Sequence, residues 1–171
     1  MFDTKIAIVV RDDLLSWQKL NVTAFLTSGV LGADKNLLGE AYEDASGRSY
    51  RPLIIQPMIV LSADAVTLAT IHRRGIERGA SLAIYIEDMF ATGHDAANRA
   101  AVRHYATEEL NLVGLVLREG RLERGLERED RAHASVVGLV QELGRRHERR
   151  EARHGDAELR RGDEGQHVLR R

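Results

Sequence analysis

The residues equipped for chemistry gather in two short polar stretches. The first follows the apolar run Ile6 to Val10 and reads Arg11, Asp12, Asp13, with Lys19 and Asn21 a few positions on. The second follows the apolar run Leu82 to Ile86 and reads Glu87, Asp88, Met89, Phe90, Ala91, Thr92, Gly93, His94, Asp95. An amine, a carboxylate, a hydroxyl and an imidazole on one rim are the groups that acyl or phosphoryl transfer uses. The ammonium of Lys19 would stabilise a developing oxyanion, the carboxylate of Asp88 would orient that ammonium or a water, and the hydroxyl of Thr92 would donate to a leaving oxygen. His94 is a candidate general base. Without turnover the same set, with Arg11, Asp13 and Asn21, would hold a small anion. Either use requires both stretches at one end of the molecule.

That requirement falls on the strands. Residues 5 to 10 read as a buried strand, and Ser16 to about Val30 as a helix whose apolar stripe carries Leu20, Ala24 and Val30 or Leu31, with Gly32 as its stop. Residues 39 to 51 read as an exposed loop around the turn signal Asp44 to Gly47. Ile54 and Ile55 suit a short edge strand before Pro57, and Met58 to Leu61 a second buried strand. Asp64 is placed to cap a second helix that turns Leu68, Ile71 and Ile76 inward and ends at Gly79. On that helix His72, Arg73, Arg74 and Arg78 read as a solvated face. Leu82 to Ile86 form the third strand, Asp95 caps a third helix from Ala96 to about His104, and Leu112 to Leu117 form the last strand. The alternation predicts a three-layer α/β domain with a four-stranded, mainly parallel or mixed sheet and helices on both faces. If the first and third strands run the same way, the polar stretches leave one sheet edge, where open α/β sheets bind ligands.

Composition narrows the classes of function. The 171 residues hold no cysteine, which removes disulfides and thiolate metal sites and fits a reducing compartment. The amino-terminal residues lack the basic and apolar regions of a secretory signal, and no apolar run nears the roughly 18 residues a membrane span needs. A cytoplasmic protein with no membrane association is the expectation. No pair of His or acidic residues has metal-site spacing, and Gly29, Gly32, Gly75 and Gly79 match neither a dinucleotide fingerprint nor a P-loop, so neither metal nor cofactor is expected. Residues 1 to 117 carry 11 basic against 14 acidic groups, a balance that disfavours an extensive nucleic-acid surface. A small-molecule or short nucleotide-linked ligand fits better. A homodimer through helix one or the edge strand stays open.

The chain divides near residue 118. Residues 3 to 118 make the α/β domain. Every Lys, every Pro and all eight aromatic residues precede position 118, whereas residues 118 to 171 carry 14 Arg and 12 acids, leaving little apolar surface to offset the entropy of ordering. Residues 119 to 171 therefore read as an Arg/Glu-rich tail, partly helical or disordered. One apolar cluster in it, Val136, Val137, Leu139, Val140 and Leu143, suits a short amphipathic helix that could dock onto the body or a partner, although the tail as a whole reads as a mobile appendage.

Two stretches carry a family resemblance: Lys5 to Leu14 followed by Gln18 to Ala24, and Tyr85 to Asn98. Over residues 3 to about 118 the chain resembles the small bacterial family called domain of unknown function two thousand, whose fold is similar to that of type II peptidyl-tRNA hydrolases. Those hydrolases carry a Val-Val-Arg-x-Asp-Leu strand end, a Gly-Lys on helix one and an Asp-x-x-x-Thr after strand three. Here the matching positions are Val9 to Leu14, Lys19, and Asp88 with Thr92, so the resemblance implies catalytic places for Lys19, Asp88 and Thr92. The chain also departs from the pattern. Gln18 stands where those hydrolases have glycine, Thr23 where they have glutamine, and Phe90 where they have the glycine of Asp-Ala-Gly.

Each candidate has a structural alternative. A lysine on a helix is commonly a solvated charge, Asp13 is placed to cap helix one, and Arg11 could clamp Asp12 or Asp88 across the rim. The turn at Thr92 to Asp95 is an ordinary helix start. Trp17 is read as a packing residue. Two functions of different class follow: a module that binds a small molecule or anion at the Lys/Asp/Thr rim, and a hydrolase acting on an ester or amide of the peptidyl-tRNA kind.

Overall fold

The structure, a computed structural model, describes residues 2, 4–120, 138 and 140. The chain begins with β1 (Thr4–Arg11), whose residues Ile6 to Val10 are all buried, and passes through a charged turn into α1 (Ser16–Ala33). A 3₁₀ turn (Lys35–Leu37) leads to an exposed hairpin of two-residue strands, β2 (Tyr42–Glu43) and β3 (Ser49–Tyr50). Then come β4 (Met58–Ala63), α2 (Ala65–Glu77) and β5 (Ser81–Ile86), and after β5 a 3₁₀ turn (Glu87–Ala91) precedes α3 (Asp95–Val102). Another 3₁₀ turn (Thr107–Glu109) precedes β6 (Leu112–Gly120).

Four strands pair in the order β4-β1-β6-β5. The sheet is mixed, not mainly parallel: β1 runs parallel to β4, while β6 is antiparallel to both β1 and β5. Helix periodicity does not distinguish these cases, because either pairing buries the same apolar strands between helices. Ile54 makes only an isolated bridge to Leu38, so the expected edge strand there reduces to one residue pair.

The helices cover opposite faces. On one face Val22, Leu26 and Val30 of α1 pack with Ile6, Ile8, Val10, Tyr85, Val113 and Val116. On the other Leu68 and Ile71 of α2 pack with Ala7, Val9, Ile86, Leu115 and Leu117. Burying side chains of this size contributes roughly 1.5–3 kcal/mol each. The buried row of α1 differs from the expected one: Leu20 is 73% exposed and Ala24 faces solvent. Gly114 explains the choice of row. A Cβ there would lie 2.4 Å from Val22 Cγ1 and 3.1 Å from Leu26 Cδ1, so its missing side chain is the seat into which Val22 sinks.

On α2 the expectation holds at both ends. The Asp64 carboxylate accepts from the Thr67 N–H at 2.7 Å, and Gly79 takes the left-handed conformation (φ 66°) that ends the helix. Its faces are partly exchanged. Ile76 is 48% exposed, whereas His72, expected in solvent, is 7% exposed, because Leu68, Ile71, His72 and Gly75 form the row that meets the sheet.

β6 continues through Glu119 to Gly120, just past the expected boundary. Of the tail beyond it, Gly138 and Val140 are helical, and Val140 is 1% exposed within the α2-side core. Val140 thus docks onto the body. The other residues of the expected amphipathic cluster, Val136, Val137, Leu139 and Leu143, lie outside the described residues, as does the rest of the tail.

Candidate functional site

Because β6 runs antiparallel between them, β1 and β5 point the same way. Their carboxyl ends and the amino end of β6 therefore share one edge of the sheet. Arg11, the last residue of β1, ties the three together. Its Nε donates to Asp13 Oδ1 at 2.6 Å, and its Nη1 donates to Glu87 Oε2 at 3.0 Å and to Asn111 Oδ1 at 3.2 Å. Asn111 Nδ2 closes the ring by donating to Glu87 Oε2 at 2.9 Å. The Arg11 side chain is only 12% exposed. Burial alone would weaken its hold on the proton, but hydrogen bonds and charge from Asp13 and Glu87 outweigh that and raise its pKa above the usual arginine value.

The clamp expected at Arg11 is real, with different partners. Asp12 extends the pairing with β4 by donating its backbone N–H to Ala63 O at 3.0 Å, and Asp88 is engaged elsewhere, so Asp13 and Glu87 take the guanidinium. Asp13 accordingly does not cap α1. The cap residue is Leu15, whose N–H donates to Gln18 Oε1 at 2.9 Å.

Lys19 occupies another part of the rim. Helical spacing puts it three and seven residues before Val22 and Leu26, on the sheet-facing row and one turn nearer the sheet edge. It is half-buried, and its ammonium has no hydrogen-bond or ion-pair partner among the described residues. Asn21, two positions on, accepts from the Tyr85 hydroxyl at 3.5 Å, the outer limit for such a contact. Burial pushes the Tyr85 phenol up from its ordinary value.

The 3₁₀ turn after β5 spends its polar groups locally. Asp88 Oδ1 accepts from the Tyr105 hydroxyl at 3.0 Å, a bond to a carboxylate that pushes the phenol up from its ordinary value. Thr92 Oγ1 donates to Met89 O at 2.9 Å and makes a short contact with Asn98 Oδ1. One hydroxyl proton cannot serve two acceptors fully. With the Asn98 amide reversed, its NH₂ donates to Thr92 while Thr92 donates to Met89. His94, rather than Asp95, caps α3: Nδ1 accepts from the Ala97 N–H at 3.2 Å, and Asp95 inside the helix pairs with Arg99 at 2.7 Å. Lys19, Asp88 and Thr92 thus share an edge without hydrogen-bonding one another, whereas Arg11, Asp13, Glu87 and Asn111 form one network.

Aromatic rings frame the β5 side of the rim. Trp17 meets Phe90 edge-on at 5.9 Å, Phe90 lies 5.2 Å from Tyr85, and Tyr85 meets Phe25 edge-on at 5.8 Å. Trp17 touches the body through Phe90, yet the residue stays 58% exposed, so it is not a core packing residue. The i, i+4, i+8 spacing of Trp17, Asn21 and Phe25 is the signal in the sequence that could have found this row. Glu87, Asn98, Tyr105 and Asn111 carry no such signal, since each acts through a partner distant in sequence or through a turn. Among the described residues no group of three or more His, Asp or Glu side chains is placed to hold a metal ion.

The model for the family described as "Protein of unknown function (DUF2000)" matches residues 4–121. Among curated proteins, none matches the chain. A solved protein of unknown function from Agrobacterium tumefaciens strain C58 is 51% identical, with a TM-score of 0.69, over 71% of this chain and 90% of that one.

Proposed function

This chain belongs to the DUF2000 family, and we propose that it binds a small anionic molecule at the rim formed by the ends of β1, β5 and the start of α1. Lys19 carries the reading. Arg11, the nearest strand-end cation in sequence, is saturated by Asp13 and Glu87, whereas Lys19, a half-buried residue, has no counter-charge among the described residues. A cation without a protein partner is free to make charge-assisted hydrogen bonds to an anion. Asp88 and Thr92, each already held by a structural partner, lie in the turn that leaves β5 at the same edge. The ligand class is a carboxylate or phosphate on a small molecule, including a short nucleotide end.

Thermal-shift screening against phosphates, nucleotides, amino acids and acyl metabolites tests this. An anion that stabilises the wild type and leaves Lys19→Ala unmoved supports the rim. Equal shifts in both proteins refute it.

The spacing of Lys19, Asp88 and Thr92, together with the common edge of β1 and β5, favours a second reading. In it the fold is of the type II peptidyl-tRNA hydrolase kind and the rim cleaves an ester or amide, with Lys19 on the oxyanion, Asp88 orienting lysine or water, and Thr92 donating to the leaving oxygen. Tyr105 and Asn98 would then have to release Asp88 and Thr92 when substrate enters. Assays of esterase and peptidyl-tRNA hydrolysis separate the readings: turnover lost in Lys19→Ala supports the enzyme, and identical traces remove it.

A further inference from the structure

Beyond the rim, the outer edge of β5 faces a cavity of about 380 Å³ between α1 and α3, and its lining is specific in three respects. The first is its floor. Ala83, Ile84 and Tyr85 all line it although successive residues of a strand point to opposite faces. The cavity therefore reaches the strand's edge as well as the face that α1 covers. β5 is the last strand of the sheet, so alternate residues in Ser81–Ile86 turn their N–H and C=O away from β6 toward this space. No hydrogen bond outside the β6 pairing is made by the backbone of Ala83, Ile84 or Tyr85 among the described residues.

The second respect is charge. Arg99 and Arg103, one turn apart on α3, stand on the wall, with Asp95 beside Arg99. Arg99 is neutralised by Asp95 at 2.7 Å, and Arg103 has no ion-pair partner among the described residues. The wall thus offers one uncompensated positive charge, which suits a monoanion. The third is apolar surface, supplied by the exposed ring of Phe25 and the partly exposed Met89.

From these we infer a second binding site, adjoining the rim at Tyr85: a small carboxylic acid carrying an amide and an apolar or aromatic group, of the N-acyl amino acid class, binds along the β5 edge. Its carboxylate meets Arg103, its amide pairs with the backbone groups that alternate residues of Ala83 to Tyr85 turn away from β6, as an added strand would, and its apolar group rests on the exposed ring of Phe25. The volume lies within the range of small-molecule pockets and is too small for a folded partner.

The test uses the full chain and calorimetric titration with N-acetyl-L-phenylalanine, its carboxamide, and 3-phenylpropionate, which lacks the amide. The acid is expected to bind about tenfold tighter than the carboxamide, with 3-phenylpropionate weaker than the acid. Arg103→Ala should bring the acid down to the level of the carboxamide, and Arg103→Lys should restore part of the difference. Equal binding of acid and carboxamide, or unchanged binding by Arg103→Ala, overturns the site. Lys19→Ala keeps the rim out of the answer: if it abolishes binding of the acid while Arg103→Ala does not, the acid sits at the rim and the β5 cavity is not its site.

Discussion

Arg11 and Glu87 meet at 3.0 Å across the amino end of β6, although 76 positions separate them in the chain. This contact joins the ends of the two outward-pointing strands and makes one edge out of two loops. The same network includes Asp13 and Asn111, so all three strands that reach the rim are fastened by one guanidinium.

Replacing Arg11 by Met should therefore destabilise the fold by about 1–2 kcal/mol, because a largely covered cation and three hydrogen bonds are lost together. Glu87→Gln should cost about 0–1 kcal/mol, since the Glu87 side chain is half exposed and its partner keeps Asp13. Urea unfolding of the single variants and of the pair measures both values and their coupling. If Arg11→Met unfolds at the wild-type midpoint, the clamp is not structural.

The seat of α1 gives a sharper test of packing. Gly114→Ala places a methyl group 2.4 Å from Val22 Cγ1, an overlap that should cost about 1–3 kcal/mol by forcing the helix off the sheet. Adding Val22→Ala makes room for the methyl group, so the double variant should lose less than the sum of the single losses. Strict additivity would mean that these two residues do not oppose each other.

His72 supplies a pH dependence with a definite sign. Burial lowers its pKa below the ordinary value of 6.5, with Glu108 acting in the opposite direction. The unfolded chain then binds the proton more readily than the folded one, and stability falls as pH drops below about 6.5 toward the folded value. Melting temperatures of wild type and His72→Gln between pH 8 and 5 check this. The difference between the two proteins should change through that window, with the wild type losing more on acidification; a constant difference would contradict the burial of a neutral imidazole.

Much of the frame was legible in the sequence because it rests on short-range chemistry. Four apolar runs found the four sheet strands, and Asp64 and Gly79 marked the ends of α2; that β1 and β5 share a direction, which brings the two polar stretches to one edge, was only a condition in the sequence and is set by β6 between them. What escaped depends on partners far along the chain. The buried row of α1 is chosen by Gly114, more than eighty residues away from Val22, and no periodicity within the helix contains that information. Leu20 and Ala24 fit an apolar stripe equally well by spacing. Asp13 and His94 show the same limit at the rim, since whether a side chain caps a helix or pairs with a strand end depends on which competitor is within reach.

The most direct measurement of the rim's role is calorimetric titration of inorganic phosphate into the wild type and Lys19→Gln, with circular dichroism confirming that both are folded. Phosphate should bind the wild type with one site and bind Lys19→Gln at least about tenfold more weakly, the loss expected when one charge-assisted contact is removed. Equal affinities in the two proteins, or no heat of binding to either, would contradict an anion site at this edge of the sheet.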